Sequence, residues 1–261
     1  MPPAFTRRHL LAALGATLAA PAFAQRQREL EVPYVPTPPE LVEAMLDLAA
    51  VTADDYLIDL GCGDGRIPVA AGRRGARALG VDLDTLRLQQ ARLAASRAEV
   101  QGRVSFRRQD LFETPIHEAS VIALYLLPRI NLALRPRLLT ELRPGARIVS
   151  HAFDMGDWTP DATGELDHRR IFLWHVPAVA GGVWDVSLEN GAYRLLELEQ
   201  AFQTVTGTLS GAGASSPVTG RLRGTAVSLE SEDGTFTAQG RVEGDAIVPI
   251  EGQSWSAIRS G

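Results

Sequence analysis

Tyr56-Leu57-Ile58-Asp59-Leu60-Gly61-Cys62-Gly63-Asp64-Gly65-Arg66 decides the fold. The first five residues read as a short buried strand, and Ile67 to Arg74 reads as a helix that stops at Gly75. Between them, three spaced glycines let the chain turn sharply and let a ligand come close to the backbone. The start of the helix supplies N–H groups that have no partner within it. A dinucleotide loop of this kind would place a third glycine at position 66, where this chain has Arg66. An acid at the end of the strand also suits a ligand with an amino group and a positively charged sulfur better than a pyrophosphate.

Working outward, Ala78 to Asp82 is a second strand, and its terminal acid follows Asp59 by 23 residues. An acid there can hold the two hydroxyls of a ribose. Thr85 to Val100 is a long helix, and Val104 to Phe106 is a third strand that closes at Asp110, where an acid could meet an adenine amino group. Val121 to Leu127 is continuously apolar, as a strand covered on both faces would be. A helical stretch follows over Ile130 to Leu142, in which Pro136 is expected to mark a break. Arg147 to Phe153 and Arg170 to Val176 complete the strands. Upstream, Thr37-Pro38-Pro39-Glu40 opens a helix whose apolar face carries Leu41, Met45, Leu48 and Ala49, with Thr37 expected as its N-cap and Glu40 as the capping-box acid. The alternation predicts an α/β fold, a doubly wound, mainly parallel sheet, with Asp59, Asp82 and Asp110 at the carboxyl edge where such sheets bind ligands.

The pattern changes beyond Pro177 to Gly182, which reads as a linker. Val183 to Leu188 and Tyr193 to Leu198 flank Asn190-Gly191, a hairpin signal, and later segments alternate between Gly/Ser-rich turns. Residues 178–261 therefore read as a small all-β C-terminal module after an α/β domain over 25–177. At the other end, Arg7-Arg8 precedes an apolar run, Leu10 to Ala20, and Ala22-Phe23-Ala24 fits a cleavage site. Residues 1–24 read as a signal peptide of the twin-arginine type, which predicts export to the periplasm. An unprocessed segment would instead leave the protein cytoplasmic or membrane-anchored. The run is too short for a transmembrane span.

The net charge of −5 gives no electrostatic reason to expect a nucleic-acid partner. All 26 basic residues are arginine, so the chain cannot methylate a lysine of its own. Cys62 is the single cysteine, which rules out an internal disulfide and makes a cysteine metal site untenable. His151, Asp154 and Asp157 follow one another at three-residue spacing, and the simpler reading is a polar loop, with no metal. Trp158, Trp174 and Trp184 cluster in sequence around the junction with the β module and are expected to pack there, and His168 and His175 read as structural.

LIDLGCGDGR at 57–66, GVDLD at 80–84 and RVSFRRQDLF at 103–112 resemble the three cofactor motifs of class I, seven-strand S-adenosylmethionine (SAM) dependent methyltransferases. PYVPTP at 33–38, ALYLLPRIN at 123–131 and LRPGARIVSHAF at 142–153 narrow the resemblance to protein-lysine methyltransferases of the archaeal broad-specificity type and their mitochondrial relatives that act on ATP synthase c-subunit and the adenine nucleotide translocase. The resemblance implies a Rossmann-like sheet, SAM as cofactor, and cofactor roles for Tyr34, Thr37, Asp59, Gly61, Gly63, Asp64, Gly65, Arg66, Asp82 and Asp110. Tyr34 to Thr37 would form a lid. At the tip of the fourth strand, Tyr125-Leu126-Leu127-Pro128 lacks the Asn/Asp of many amino-group methyltransferases. Tyr125 is then the expected substrate-channel residue and His151 the residue at the substrate mouth. The expected acceptor is a lysine-bearing protein acted on by a monomer, the alternatives being a small-molecule N- or O-methyltransferase and a non-catalytic SAM- or adenosine-binding protein.

Overall fold

A computed structural model describes residues 34–211 and 213–260. The twin-arginine segment lies outside the described residues. Helix α1 (Pro39–Leu48) comes first, followed by β1 (Tyr56–Leu60), α2 (Arg66–Arg73), β2 (Arg77–Asp82), α3 (Thr85–Arg97), β3 (Val104–Arg108), β4 (Val121–Leu124), α4 (Pro128–Glu141) and β5 (Arg147–His151). The sheet is completed by β6 (Ala162–Leu166) and β7 (Arg169–His175), in the order β3-β2-β1-β4-β5-β7-β6. The first five strands pair in parallel, and β7 runs antiparallel to both of its neighbours. All four β4 residues are buried, as a central strand with both faces covered requires.

Two local expectations need correction, and one strand was not expected. Thr37 does not cap α1. Pro38 holds the N-cap position, its carbonyl accepting from Leu41 and Val42 N–H at 3.0 Å, and no side-chain cap forms, so Glu40 completes no capping box. The Thr37 hydroxyl is drawn away to His151. Pro136 does not break its helix, because α4 runs unbroken over it. The ring sits on the exposed face, where water can serve the carbonyl it leaves unpaired, while Ile130, Asn131, Leu134 and Leu138 continue the buried face. Finally, β6 carries only a weak alternation, Ala162, Gly164 and Leu166 turned inward and Thr163 and Glu165 outward. It is held in a hairpin with β7 by Asp167 and His168, both left-handed at φ 50° and 59°.

Beyond the linker, β8 (Gly182–Leu188), β9 (Tyr193–Ala201), β10 (Thr204–Gly211), β11 (Ala214–Arg223), β12 (Ala226–Ser231), β13 (Thr237–Glu243), β14 (Ala246–Pro249) and β15 (Trp255–Arg259) form an antiparallel meander. Strand β15 pairs back onto β8, so the module is a closed eight-stranded barrel without edges. Its interior is packed with Trp184, Leu196, Val205, Leu222, Leu229 and Trp255, among others. Strands β9 and β10 approach so closely that a Cβ on Gly207 would lie 1.8 Å from the Glu197 carbonyl oxygen. The β8–β9 loop, with Gly191 at φ +78°, is the hairpin that Asn190-Gly191 signalled.

The barrel meets the α/β domain through the turn between β9 and β10. Left-handed Phe202 lays its ring parallel to Trp158 at 5.8 Å, and Gln203 Nε2 donates to the Thr159 carbonyl at 2.6 Å. Arg221 pairs with Asp161 at 2.9 Å. The Trp174 indole N–H donates to the Trp158 carbonyl, while Trp184 lies inside the barrel with its N–H on the Ala180 carbonyl of the linker.

At the amino edge of the sheet, buried Asp55 ties three segments together. It accepts from Thr52 N–H at 2.8 Å and from the Ser120 hydroxyl at 2.7 Å, and it pairs with Arg147, which also donates to the Ala49 and Ala50 carbonyls. Burial works against the charge, but these bonds outweigh it and hold the carboxyl below its usual range. We expect Asp55→Asn to cost about 3 kcal/mol at pH 7 in urea unfolding, because it leaves Arg147 unpaired. A depressed acid contributes its stability above its unfolded pKa, so the gap from the wild type should close only as pH falls below about 4. A gap that is absent at pH 7, or unchanged down to pH 2, would contradict this reading.

Candidate functional site

The glycine loop folds back onto β2. Gly61 and Cys62 N–H both donate to the Val81 carbonyl at 2.9 Å, and the Gly63 N–H donates to Asp82 Oδ2 at 2.8 Å. The other Asp82 oxygen accepts from Asp84 N–H, and Asp84 in turn caps α3 through Leu86 and Arg87 N–H. Gly65, the left-handed N-cap of α2, must be glycine, because a Cβ there would lie 2.6 to 2.7 Å from the Phe106 ring and Ala91. Cys62 is buried against Gly80, and burial followed by the charges of Asp59 and Asp82 pushes its thiol up, so it is no nucleophile at neutral pH.

Asp59 is 2% exposed at the end of β1. Burial, then the nearby charges of Asp82 and Asp64, raise its carboxyl well above the usual range. Asp64 is treated differently. Burial would raise it, but a bidentate pair with Arg66, at 2.9 and 2.6 Å, and the Tyr34 hydroxyl hold it down. Arg66 also donates to the Thr37 carbonyl at 2.5 Å. The segment from Tyr34 to Thr37 therefore lies across the loop. A Cβ on Gly63 would strike the Tyr34 ring at 2.5 Å, and the Arg87 guanidinium covers that ring at 3.7 Å.

On the other side of Thr37, its hydroxyl meets His151 Nδ1 at 3.2 Å. His151 ends β5 and packs on Tyr125 with ring centroids 3.8 Å apart and the rings tilted by 30°. Burial, and then the charge of Arg169, push the imidazole down to about 4, so it is neutral at pH 7. The chain turns hard after it, with Ala152 left-handed at φ 67° and Phe153 N–H donating to the His151 carbonyl at 2.9 Å. Asn131 on α4 pins this turn, its amide donating to the Ser150 hydroxyl and to the Phe153 and Asp154 carbonyls. Leu126 closes the gap between the two halves, lying where a Cβ on Gly61 would approach it at 2.9 Å.

The structure therefore brings Tyr34, Thr37, Asp59, Gly61, Gly63, Asp64, Gly65, Arg66 and Asp82 into one rim, with Tyr125 and His151 joined to it through Thr37. Asp110 sits in a turn beyond β3, accepting from Phe112 N–H at 2.8 Å. His151, Asp154 and Asp157 separate. Asp154 accepts from Gly156 N–H and Asp157 pairs with Arg135. Among the described residues no three His, Cys, Asp or Glu side chains gather as a metal site. Arg87 has no sequence signal, and Leu126 and Asn131 stand in the ALYLLPRIN motif with no role assigned there, because their contacts cross between elements.

A nucleoside carrying a sulfonium and an ammonium group fits these residues. The buried acid at Asp59 has neighbouring acids instead of a cation, Asp82 presents an oriented carboxylate for vicinal hydroxyls, and the glycines open the backbone between them. A family profile described as ANTKMT methyltransferase domain matches residues 59–162, which excludes the barrel. A protein-lysine N-methyltransferase of Saccharolobus islandicus (strain REY15A) is 43% identical over 150 residues, covering 55% of this chain and 92% of that protein. The adenine nucleotide translocase lysine N-methyltransferase of Mus musculus is 36% identical over 162 residues, 62% of this chain and 70% of that one. The crystal structure of an RNA methyltransferase from Salinibacter ruber in complex with S-adenosyl-L-homocysteine superposes with a TM-score of 0.55 at 48% identity, covering 56% of this chain and 95% of that one.

Two pH effects follow from the geometry. The unfolded chain protonates His151 near ~6.5 and the folded chain only near 4, so stability falls as pH drops through that window, by roughly 3 kcal/mol. His151→Asn should flatten this slope in urea unfolding between pH 4 and 7, and an unchanged slope would contradict it. For Asp59 the sign is opposite, since a raised acid destabilises the fold as pH rises through its folded pKa. Asp59→Asn should raise the melting temperature of the ligand-free chain at pH 7.5, and a lowered one would show that the charge is compensated.

Proposed function

We propose that this chain, which belongs to the ANTKMT methyltransferase family, uses SAM to methylate the ε-amine of a lysine in a protein. The observation that carries the acceptor class is the 43% identity to the Saccharolobus protein-lysine N-methyltransferase, extending over 92% of that protein. The site supports it. SAM supplies a methyl group on a positively charged sulfur, and the rim from Asp59 to Asp82 holds the opposite charge. Beyond the rim stand Tyr125 and a neutral His151, with no carboxylate or amide at the β4 tip.

A lysine amine attacks only without its proton, and in water its pKa is about 10.4. Uncharged, poorly hydrated surroundings lower that value. The Tyr125 ring and the His151 imidazole, packed on each other, offer such a wall, and a deprotonated amine held against it faces the loop that carries the cofactor. With SAM bound, its lone pair would take the methyl carbon as sulfur keeps the electrons of the broken bond, and the proton would leave the nitrogen afterwards. The wall contributes mainly alignment. The strained turn at Ala152, held by Asn131, fixes the His151 ring for that purpose.

Residues 1–24 support a further reading, export through the twin-arginine route, since Arg7-Arg8, the apolar run and Ala22-Phe23-Ala24 stand in the required order. A reporter fused after residue 30 should accumulate in the periplasm and stay in the cytoplasm when Arg7 and Arg8 are both replaced by glutamine.

With tritiated methyl donor, label should pass to lysine of an added acceptor protein and not to RNA or to small amines, and no label can fall on a lysine of the enzyme because it has none. Transfer to RNA or only to small amines would contradict the lysine reading, and binding without transfer would contradict the enzyme. Tyr125→Ala should lower kcat/KM for the protein acceptor by about tenfold or more, with SAM affinity unchanged.

A further inference from the structure

Helix α3 is apolar on both sides. Leu88, Ala91 and Ala95 are buried against the sheet. Opposite them, Leu86 and Leu93 are 59% and 50% exposed, and Leu83, just before the helix, is 54% exposed. A separation of seven residues is close to two turns, so Leu86 and Leu93 stand on one outward line, with Arg97 continuing it. The line leads to the site. Leu83 follows Asp82 directly, and Arg87 covers the ring of Tyr34, whose neighbour Val35 is 56% exposed.

The charge around this line runs against that of the whole chain. Between Leu83 and Gln109 there are six arginines, at 87, 92, 97, 103, 107 and 108, and two acids, Asp84 and Glu99, in a protein of net charge −5. Asp84 is engaged as the cap of α3. Arg107 and Arg108 lie on β3, the edge of the sheet, where charge blocks pairing with another strand. That role explains neither the leucines nor the arginines of the helix.

We propose that this face docks the protein on an anionic lipid surface, with the ligand rim at one end of the docked face. Exposed leucines flanked by arginines are what an interfacial helix uses, the side chains entering the headgroup boundary while the cations meet acidic lipid. A nucleic acid would be drawn by the same arginines, but it gains nothing from leucines, and Tyr34, the aromatic ring nearby, is already covered by Arg87. The surface does not depend on which acceptor receives the methyl group.

The test is flotation of the full chain with phosphatidylglycerol-containing vesicles and with pure phosphatidylcholine vesicles in 0.1 M salt. We expect capture by the anionic vesicles alone, weakening as salt rises. Leu86→Ser/Leu93→Ser and Arg97→Gln/Arg107→Gln should each reduce capture about tenfold or more, with unchanged thermal unfolding. Residues 1–33 carry arginines and an apolar run of their own, so the decisive comparison is between variants of the same chain. Equal capture of wild type and both variants would assign binding to that segment and overturn the proposal. Equal capture by both vesicle types, or binding of an RNA oligonucleotide without binding of vesicles, would also overturn it.

Discussion

An acid with acids for neighbours, buried at the end of a central strand, is the constraint on which the rest of the molecule depends. Asp59 is nearly inaccessible, and Asp82 and Asp64 reinforce the effect of its burial. Such a group weakens the fold unless something positive comes to it. The surrounding chain is arranged to leave that need unmet from within. Arg66, the nearest arginine in sequence, is turned away, forked onto Asp64 and tied to the Thr37 carbonyl. Asp82 is oriented by two backbone N–H groups, which fixes its carboxylate toward the same space. The site is thus a preorganised deficit of positive charge, and SAM carries that charge on both its sulfonium and its ammonium group.

The same constraint explains why the lid and the substrate side act as one unit. Thr37 offers its carbonyl to Arg66 and its hydroxyl to His151, so a single residue joins the acidic rim to the Tyr125–His151 pair. The turn behind His151 is held from the opposite face of the sheet by Asn131, and the loop that follows carries Trp158 to the barrel. The barrel therefore rests on the segment that leaves the substrate side, although it lies outside the part of the chain shared with the family profile.

Much of this was legible in the sequence. The glycine loop, the acids at strand ends and the buried β4 are local patterns, and the chain states them directly. What was hidden depends on contacts between distant segments. Thr37 has the chemistry of an N-cap, and only the arrival of His151, 114 residues later, draws its hydroxyl elsewhere. Pro136 signals a break, but its exposed position makes the lost hydrogen bond inexpensive. Strand β6 alternates only weakly and has no glycine turn, and its place comes from the sheet edge it completes. That the last strand would pair with β8 and close the barrel is a long-range event no local pattern records.

Asp59, its carboxyl raised by burial and by the acids beside it, is the group that receives the cationic cofactor, whose charge pulls that pKa back down. Calorimetric titration of SAM from pH 5 to pH 8, in two buffers of different ionisation enthalpy at each pH, tests it most directly. The account predicts proton release on binding to the wild-type chain. For Asp59→Asn it predicts no release and an affinity about thirtyfold weaker, as expected for the loss of one charge-assisted bond worth about 2 kcal/mol. Binding of SAM to Asp59→Asn with wild-type affinity, or with the same proton release, would contradict it.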